Sequence, residues 1–296
     1  MAIVWFRVGR YWGIKNLKVM QHLLLKMGML PVVDHYYEPL IDYRKWPKET
    51  SKTSLTLDAE AQLNFIRPFS FQDELKTIPV DEERVNRFFH KNGSFETGDA
   101  ELYYSIIRHA KPARILEVGS GFSTLIALEA VAATKTENQN FSCELICIEP
   151  YEMDFLESVD VKLIRQVVEQ VDISIFLSLR SGDILFIDSS HIIRPGGDVT
   201  YLILEILPKL AAGVLIHFHD IFIPKHYPVE WLKNEYRLWN EQYLLEAFLS
   251  GNNSFEIVCA LNFLLQNNPN NVYSKFPLCA KEQQQGAASF WIRKVK

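Results

Sequence analysis

The chain has 296 residues, of which 48% are hydrophobic and 23% charged, and its formal net charge is −5 at pH 7. This balance is typical of a soluble globular protein and argues against a nucleic-acid partner. The length exceeds one average domain, but a doubly wound sheet of about seven strands with extra helices would fill it without a second core.

Residues 1–33 form a basic segment in which apolar and aromatic residues are interspersed. Five basic side chains and no acidic one precede Asp34. The segment has neither the uninterrupted apolar core of a secretory signal nor the ~20 apolar residues of a membrane span. Three placements fit this amphipathic stretch: on an anionic membrane surface, on a partner subunit as in a homodimer, or on its own domain.

Three helices are predicted between this segment and the first strong strand. An irregular, proline-containing arm leads to a short helix from Asp58 to Arg67. A second helix is expected from Asp81 to His90, and a third from Asp99 to Arg108 with Asp99 as its N-cap.

The run RILEVGSGFST at residues 114–124 is the most informative part of the chain. An apolar strand carries Glu117 near its end, passes a Gly-x-Gly turn at Gly119 and Gly121, and enters a helix. The glycines let a ligand approach the backbone, and the helix start offers unpaired N–H groups. A dinucleotide site would have a third glycine where Thr124 stands. The pocket therefore suits a ligand that lacks phosphates and carries positive charge.

Three further strands end in ionisable residues. They are predicted in residues 144–149, 182–188 and 213–219, with a helix-like segment at 198–210 between the last two. This order builds a parallel sheet with right-handed crossovers, whose ligands lie at the carboxyl ends of the strands. The groups expected to converge at that edge are Glu117, Glu149, Asp188, His191, His219 and Asp220.

The C-terminal third is predicted to hold one long helix and two strands. Residues 228–249 show helical spacing, and residues 255–264 and 288–293 are apolar strand candidates. The polar residues Asn240, Glu241 and Gln242 either reach the substrate or form a solvated flank. The helix face is marked by Leu232, Tyr236, Trp239 and Tyr243.

The run Glu117-Val-Gly-Ser-Gly121 resembles the first motif of the class I S-adenosylmethionine-dependent methyltransferases. Short segments at residues 186–191, 219–222 and 239–243 resemble sequences of a bacterial subgroup of that family, and residues 35–39 resemble the N-terminal arm of the same subgroup. The resemblance implies an α/β, Rossmann-like fold in residues 95–296, with a mostly parallel seven-stranded sheet and a terminal antiparallel hairpin. Residues 1–94 would form an N-terminal helical extension that caps the active site.

The family resemblance also implies site residues. Its cofactor carries sulfonium and ammonium groups, which a nearby carboxylate favours, and its second-strand acid holds the ribose, a role that Glu149 inherits. In the arm, His35, Tyr36 and Tyr37 are candidate substrate contacts, together with His191 and His219. The expected cofactor-binding residues are Glu117, Gly119, Ser120, Gly121, Ser123, Thr124, Glu149 and Asp188.

Methyl transfer from a sulfonium is an in-line displacement, so the protein chiefly aligns the nucleophile and removes its proton. His219 and His191 are the candidate bases, and Asp220 or Asp188 would orient them. Metal-dependent O-methyltransferases place one acid after the fourth strand and an acid pair after the fifth. Here His219 and Asp220 stand in place of that pair, which leaves room for a divalent ion on Asp188, His219 and Asp220.

The sequence thus predicts an S-adenosylmethionine-dependent methyltransferase that acts on a hydroxyl or carboxylate oxygen of a small-molecule, sugar or peptide acceptor. A nicotinamide- or flavin-binding oxidoreductase is the rival enzyme, weakened by the absent third glycine. A non-catalytic binding protein of the same fold is the second rival, opposed by the intact strand-end acids and histidines. Four cysteines without metal-ligand spacing predict reduced thiols in a cytoplasmic protein.

Overall fold

The computed structural model describes residues 18–29, 36–46, 53–151, 153–283 and 286–296. Most of the basic N-terminal segment and His35 lie outside these residues. The chain divides into two compact units, one of Met1–Lys48 with Pro228–Leu238 and the other of Glu49–Tyr227 with Trp239–Lys296. The boundary predicted after residue 94 does not coincide with this division, because residues 53–94 belong to the same unit as the sheet.

The described α-helices follow one another along the chain as α1 (Lys18–Lys26), α2 (Ala59–Ile66), α3 (Gln72–Leu75), α4 (Asp99–Ala110), α5 (Phe122–Glu137), α6 (Ile173–Leu177), α7 (Asp198–Tyr201), α8 (Val229–Glu235), α9 (Glu241–Leu249), α10 (Leu261–Asn267), α11 (Pro269–Tyr273) and α12 (Pro277–Glu282). Helix α7 continues as a π-helix at Leu202–Ile206 and a 3₁₀ turn at Leu207–Lys209. Further 3₁₀ turns lie at Tyr43–Lys45, Asp154–Ser158 and Val168–Gln170. No helix within the described residues has the length and apolarity that a membrane span requires.

The larger unit is built on a seven-stranded sheet with strand order β3-β2-β1-β4-β5-β7-β6. Strands β1 to β5 are parallel, and β7 runs antiparallel between β5 and β6. The predicted Rossmann-like sheet with its terminal antiparallel hairpin is therefore confirmed. The strands are β1 (Arg114–Val118), β2 (Glu144–Ile148), β3 (Lys162–Ile164), β4 (Ile184–Ile187), β5 (Leu215–Phe218), β6 (Phe255–Ala260) and β7 (Phe290–Lys294).

The sheet separates two apolar layers, and β1 contributes to both. Ile115 packs into the layer that contains α4 and α5, whereas Leu116 and Val118 pack into the layer that contains the π-helix segment. Because side chains alternate along a strand, Glu117 faces the same layer as Ile115. An acidic residue is thereby placed beneath the start of α5.

Three predicted elements differ from the structure. Residues 81–90 form turns and bends instead of a helix, with Asn86 at a φ of 68°. The predicted helix 228–249 is two helices, because α8 ends at Glu235 and the residue that caps it, Tyr236, is in the left-handed conformation. The predicted strand 255–264 ends at Ala260, whose N–H donates to Gln62, and the apolar residues that follow form α10. A short apolar run of this kind fits a strand and a buried helix equally well.

Asp99 is not the N-cap of α4 as predicted. Gly98 takes that position, and Asp99 is the first residue of the helix. Its carboxylate accepts the backbone N–H groups of Ala288 and Ser289 at 2.6–3.1 Å. The acid therefore joins the start of α4 to the entry of β7.

Candidate functional site

The carboxyl ends of β1, β2, β4 and β5 are level with one another. Val118 pairs with Ile148 on one side and Ile187 on the other, and Ile187 pairs with Phe218. The residues that follow these four strand ends are therefore brought to one edge of the sheet, as predicted. They are Gly119, Glu149, Asp188 and His219.

Gly119 is required by the close approach of β4. Its φ is 80°, and a Cβ atom placed on it would lie 1.8 Å from the backbone oxygen of Asp188. The N–H of Gly119 donates to Ile148 O at 3.1 Å, so the turn is tied to β2 as well. No side chain beyond hydrogen fits at this position, whether or not a ligand is bound.

Two cavities meet at this turn, and both are lined by Gly119, Glu149 and Asp188. The first has a volume of about 290 Å³ and extends past Pro150, Tyr151 and residues 167–169. The second, of about 210 Å³, extends past residues 94–95 and 120–123. An elongated ligand can therefore lie across the turn with Glu149 at its middle.

Glu149 also shapes the site by holding two backbone N–H groups. Its Oε2 accepts from Ser120 at 3.2 Å, and its Oε1 accepts from Tyr151 at 2.7 Å. These bonds fix the glycine turn and the loop after β2 relative to each other. The predicted ribose-binding acid thus lies on the cavity wall with both oxygens oriented by the backbone.

Glu117 and Thr124 line neither cavity. Thr124 donates its hydroxyl to Glu117 at 2.5 Å and accepts the N–H of Gly121 at 3.1 Å. Burial raises the pKa of Glu117 to about 7, although hydrogen bonds from Thr124 and other groups lower it. The other predicted cofactor residues, Ser120, Gly121 and Ser123 among them, line the second cavity. The pair Glu117–Thr124 supports the turn from below.

A cluster of acids and two histidines lies beside the cavities. His191 is 4% exposed and has a carboxylate at each ring nitrogen. Its Nδ1 lies 2.8 Å from Glu241 Oε2, and its Nε2 lies 3.1 Å from Asp188 Oδ1 and 3.8 Å from Asp220 Oδ2. A proton or a cation must therefore lie at each of these nitrogens.

His219 occupies the other side of the same cluster. Its Nδ1 is 3.4 Å from Asp188 Oδ2 and 3.6 Å from Asp220 Oδ2, and its Nε2 is 3.7 Å from Asp99 Oδ2. The ring of Phe95 packs on it with the centroids 5.1 Å apart. His219 is thereby held between three acids and an aromatic wall.

These contacts shift the pKa of each group. Burial alone would lower the pKa of both histidines, but the neighbouring carboxylates raise that of His191 to about 10 and that of His219 well above its usual value. The histidines lower the pKa of Asp188 although burial opposes them. Burial raises the pKa of Asp220, because the histidines offset it only in part. The neighbouring carboxylates thus favour the cationic form of both imidazoles.

The three polar residues at the start of α9 hold the loops that carry this cluster. Asn240 Oδ1 accepts the N–H of Ile193, Glu241 binds His191, and Gln242 Oε1 accepts the N–H of Phe222. The Trp239 ring packs on His191 with the centroids 4.1 Å apart. Glu241 and Gln242 are each 1% exposed, so neither a solvated flank nor direct substrate contact describes them.

Sequence reasoning missed Asp99 and Glu241 as members of the cluster. Their partners lie far away along the chain, and only the folded sheet edge brings them together. The one available signal was the run of three polar residues inside a mostly apolar helix pattern.

The described residues contain one group of side chains that could hold a metal ion. Ligand atoms of Asp188, His191 and Asp220 all lie within 4.8 Å of one another. The metal ligands predicted from sequence were Asp188, His219 and Asp220. In the structure His191, and not His219, completes the group with the two aspartates. Oxygen and nitrogen donors of this kind fit a divalent ion, provided that His191 Nε2 carries no proton.

Tyr36 and Tyr37 belong to the smaller unit and are 90% and 84% exposed. Their rings pack edge to face with the centroids 5.1 Å apart. Their role as substrate contacts stays a prediction.

Comparisons with known proteins agree with this geometry. Residues 116–221 match a family model described as a methyltransferase domain. A protein of Archaeoglobus fulgidus described as uncharacterized is 30% identical over 171 residues, which are 52% of this chain and 76% of that protein.

Two solved structures are similar at lower levels. The O-methyltransferase TomG of Streptomyces achromogenes, in complex with S-adenosylmethionine, is 12% identical with a TM-score of 0.36, over 82% of this chain and 92% of that one. An O-methyltransferase of Bacillus cereus, in complex with S-adenosylhomocysteine, is 10% identical with a TM-score of 0.36, over 82% of this chain and 93% of that one. Because these TM-scores are low, the assignment of the fold depends on the strand order described above and not on these two structures.

The matched residues run from Leu116 within β1 to Ile221, just after β5, and so include the glycine turn, Glu149, Asp188 and His219. Residues 116–221 of this chain therefore form a methyltransferase domain, built on the Rossmann-like sheet described above.

Proposed function

We propose that this chain is a class I S-adenosylmethionine-dependent methyltransferase and that it transfers the methyl group of that cofactor to a hydroxyl oxygen of a small-molecule, sugar or peptide acceptor. The observation that carries the proposal is the excess of acids at the sheet edge. Four carboxylates, those of Asp99, Asp188, Asp220 and Glu241, surround two histidines. This excess of negative charge would repel a carboxylate acceptor, whereas a neutral hydroxyl is tolerated and requires a base.

We assign the base to Asp220. Asp188 accepts contacts from both histidines and Glu241 binds His191, whereas Asp220 lies farther away, 3.6 Å from His219 and 3.8 Å from His191. Burial raises the pKa of Asp220, which makes its carboxylate a better proton acceptor. The two cationic histidines would stabilise the alkoxide that develops on the acceptor. This assignment reverses the roles that the sequence suggested for the histidines and the acids.

When bound, S-adenosylmethionine supplies an electrophilic methyl group. Glu149 and the glycine turn would hold the cofactor, and Asp220 would receive the proton of the acceptor hydroxyl. Phe95 packs on His219 and Trp239 packs on His191, so an aromatic ring restrains each histidine. The chain thus provides alignment, a proton acceptor and charge stabilisation.

The test of this base is the variant Asp220→Asn. We expect the turnover number to fall by about 10²–10⁴-fold, the usual range for a general base. Affinity for S-adenosylhomocysteine, measured by calorimetric titration, should stay near that of the wild type. Asp160→Asn, the same change at an exposed site, is the control. Normal turnover in Asp220→Asn would refute the assignment.

A chelator separates this mechanism from a metal-dependent one. If a divalent ion is required, Asp188, His191 and Asp220 would hold it and polarise the acceptor oxygen. We expect full activity in the presence of a chelator, because His191 Nε2 shares its proton with Asp188 at 3.1 Å. If the chelator abolishes activity and added Mg²⁺ or Mn²⁺ restores it, the mechanism depends on a metal ion and the assignment of Asp220 as the base is wrong.

The acceptor class is tested by the alkali stability of the product. Reaction with radiolabelled S-adenosylmethionine and an extract of small molecules or peptides gives a labelled product. A methyl ether from a hydroxyl withstands mild alkali, whereas a methyl ester from a carboxylate releases volatile methanol. Release of the label as methanol would contradict the proposed hydroxyl acceptor.

Two assignments from the sequence remain proposals beside this one. We propose that Tyr36 and Tyr37 contact the acceptor and that the protein acts in the cytoplasm. The four cysteines, which lack metal-ligand spacing, support the second of these.

A further inference from the structure

The smaller unit exposes an unusual amount of apolar surface. Ten of the seventeen large apolar side chains that are exposed among the described residues belong to it. Five of the ten lie on α1 or within three residues of its end. They are Val19, Leu23, Leu25, Met27 and Met29.

Helix α1 and the residue after it carry an apolar stripe that the described residues of the chain leave exposed. Val19, Leu23 and Met27 recur every fourth residue, which places them along one side of the helix. They are 77%, 54% and 60% exposed, whereas Leu24 is buried. Exposed apolar side chains in such a row mark an interaction surface.

The positive charge of this helix indicates which kind of partner it binds. Lys18 and Lys26 are exposed at its two ends, and the sequence before Asp34 adds three more basic residues and no acid. A symmetric contact with a second copy would bring like charges together. An anionic lipid surface instead accepts the apolar stripe between acyl chains and pairs the lysines with its headgroups.

We propose that α1 docks this enzyme on an anionic membrane surface, with Val19, Leu23 and Met27 inserted at the interface and Lys18 and Lys26 at the headgroups. The helix lies in the plane of the surface and does not cross it. The remainder of the chain then works beside the lipid. An acceptor that is itself attached to lipid would be presented to such an enzyme at high local concentration.

The test is co-sedimentation of the full chain with vesicles. One set contains phosphatidylcholine alone, and the other contains phosphatidylcholine and phosphatidylglycerol in equal parts. We expect binding to the second set only, and we expect it to weaken as the salt concentration rises. Binding to neither set would overturn the proposal.

Matched variants locate the surface. Val19→Asp combined with Leu23→Asp should abolish vesicle binding, whereas Val85→Asp should preserve it, although Val85 is as exposed as Val19, at 77%. Replacing Lys18 and Lys26 by Gln should weaken binding by about fivefold for each lysine. Each variant should keep its affinity for S-adenosylhomocysteine, which shows that the chain is folded.

Two outcomes would contradict this assignment. Equal loss of binding in the Val19/Leu23 and Val85 variants would mean that the effect comes from charge alone. If analytical ultracentrifugation shows a wild-type dimer that Val19→Asp dissociates, the stripe is a contact between copies of this chain.

Discussion

Glu149 has two roles that a single substitution would remove. Its carboxylate lies where the two cavities meet, and it also fixes Ser120 and Tyr151 through their N–H groups. Glu149→Ala should weaken binding of S-adenosylhomocysteine by roughly 1.5–3 kcal/mol in a calorimetric titration. Glu144→Ala, at the other end of β2, should bind like the wild type. Equal affinity in both variants would show that Glu149 is only a strand-end acid.

Glu241 is expected to position His191 without touching the acceptor. The variant Glu241→Gln removes one of the two carboxylates that raise the pKa of His191. We expect that pKa, followed by NMR, to fall from about 10. Turnover should fall by about 10- to 100-fold while the affinity for S-adenosylhomocysteine is kept, as for groups that orient a ligand through hydrogen bonds.

The same change at Glu246, farther along α9, serves as the control. An unchanged His191 pKa in Glu241→Gln would show that Asp188 alone sets the charge of His191. Rescue of turnover by Glu241→Asp would support positioning, because a shorter carboxylate keeps the charge.

Single residues could be predicted from sequence where a strand end fixes their place. Glu149, Asp188 and His219 each follow a recognisable apolar strand, so their convergence follows from parallel topology. The roles of Asp99 and Glu241 depend on partners that lie 120 and 50 residues away, respectively. No local pattern contains that information.

At the scale of elements, the turn between β1 and α5 contains two glycines, and its conformation depends on Gly119 more than on Gly121. In Gly119→Ala the new methyl group would collide with Asp188 O, and its φ of 80° is unfavourable for alanine. We expect a loss of more than about 2 kcal/mol in the free energy of unfolding.

Gly121→Ala is the matched control. A Cβ atom there would meet nothing nearer than Met153 Sδ at 3.9 Å, which is an ordinary contact. Its unfolding free energy should stay within about 1 kcal/mol of the wild type. Equal losses in the two variants would mean that the approach of β4 does not restrict this turn. Thermal unfolding without ligand separates this effect from cofactor binding.

Helix boundaries were the least predictable feature of the elements. Residues 228–249 carry continuous helical spacing, yet Tyr236 adopts a φ of 56° and the chain passes into the other unit at Trp239. Tertiary contacts of Glu241 and Gln242 fix the start of α9, and these contacts are invisible to periodicity. The strands β1, β2, β4 and β5 were predictable because each is a buried apolar run followed by an ionisable residue.

For the whole molecule, Glu117 makes stability depend on pH. Burial raises its pKa from 4.5 to about 7. The folded state therefore holds a proton that the unfolded chain releases, so stability is lost as the pH rises from 4.5 through 7. Glu117→Gln cannot titrate and should avoid this loss. The variant should gain up to about 3 kcal/mol relative to the wild type between about pH 5 and about pH 8.

Urea unfolding at the two pH values measures the difference. Glu101, whose pKa burial also raises to about 7, titrates in both proteins and cancels from the comparison. Glu144→Gln, at an exposed acid, should follow the wild type at both pH values. A constant difference between Glu117→Gln and the wild type would mean that Glu117 is ionised throughout this range.

The overall architecture could be predicted because alternating strands and helices permit few parallel topologies. The division into two units could not be predicted. Residues 228–238 join Met1–Lys48 although nearly the whole sheet lies between them in sequence. Only the packing of distant segments defines this unit, so neither composition nor spacing marks it.

The position of β7 imposes an order on assembly. Strand β6 is synthesised before β7, yet it pairs with β7 alone, and β7 fills the gap between β6 and β5. The carboxylate of Asp99 likewise gains its hydrogen bonds from the N–H groups of Ala288 and Ser289 only after those residues have been synthesised. During synthesis, the sheet edge and the contacts of the acid beside His219 thus remain incomplete until β7 has emerged from the ribosome.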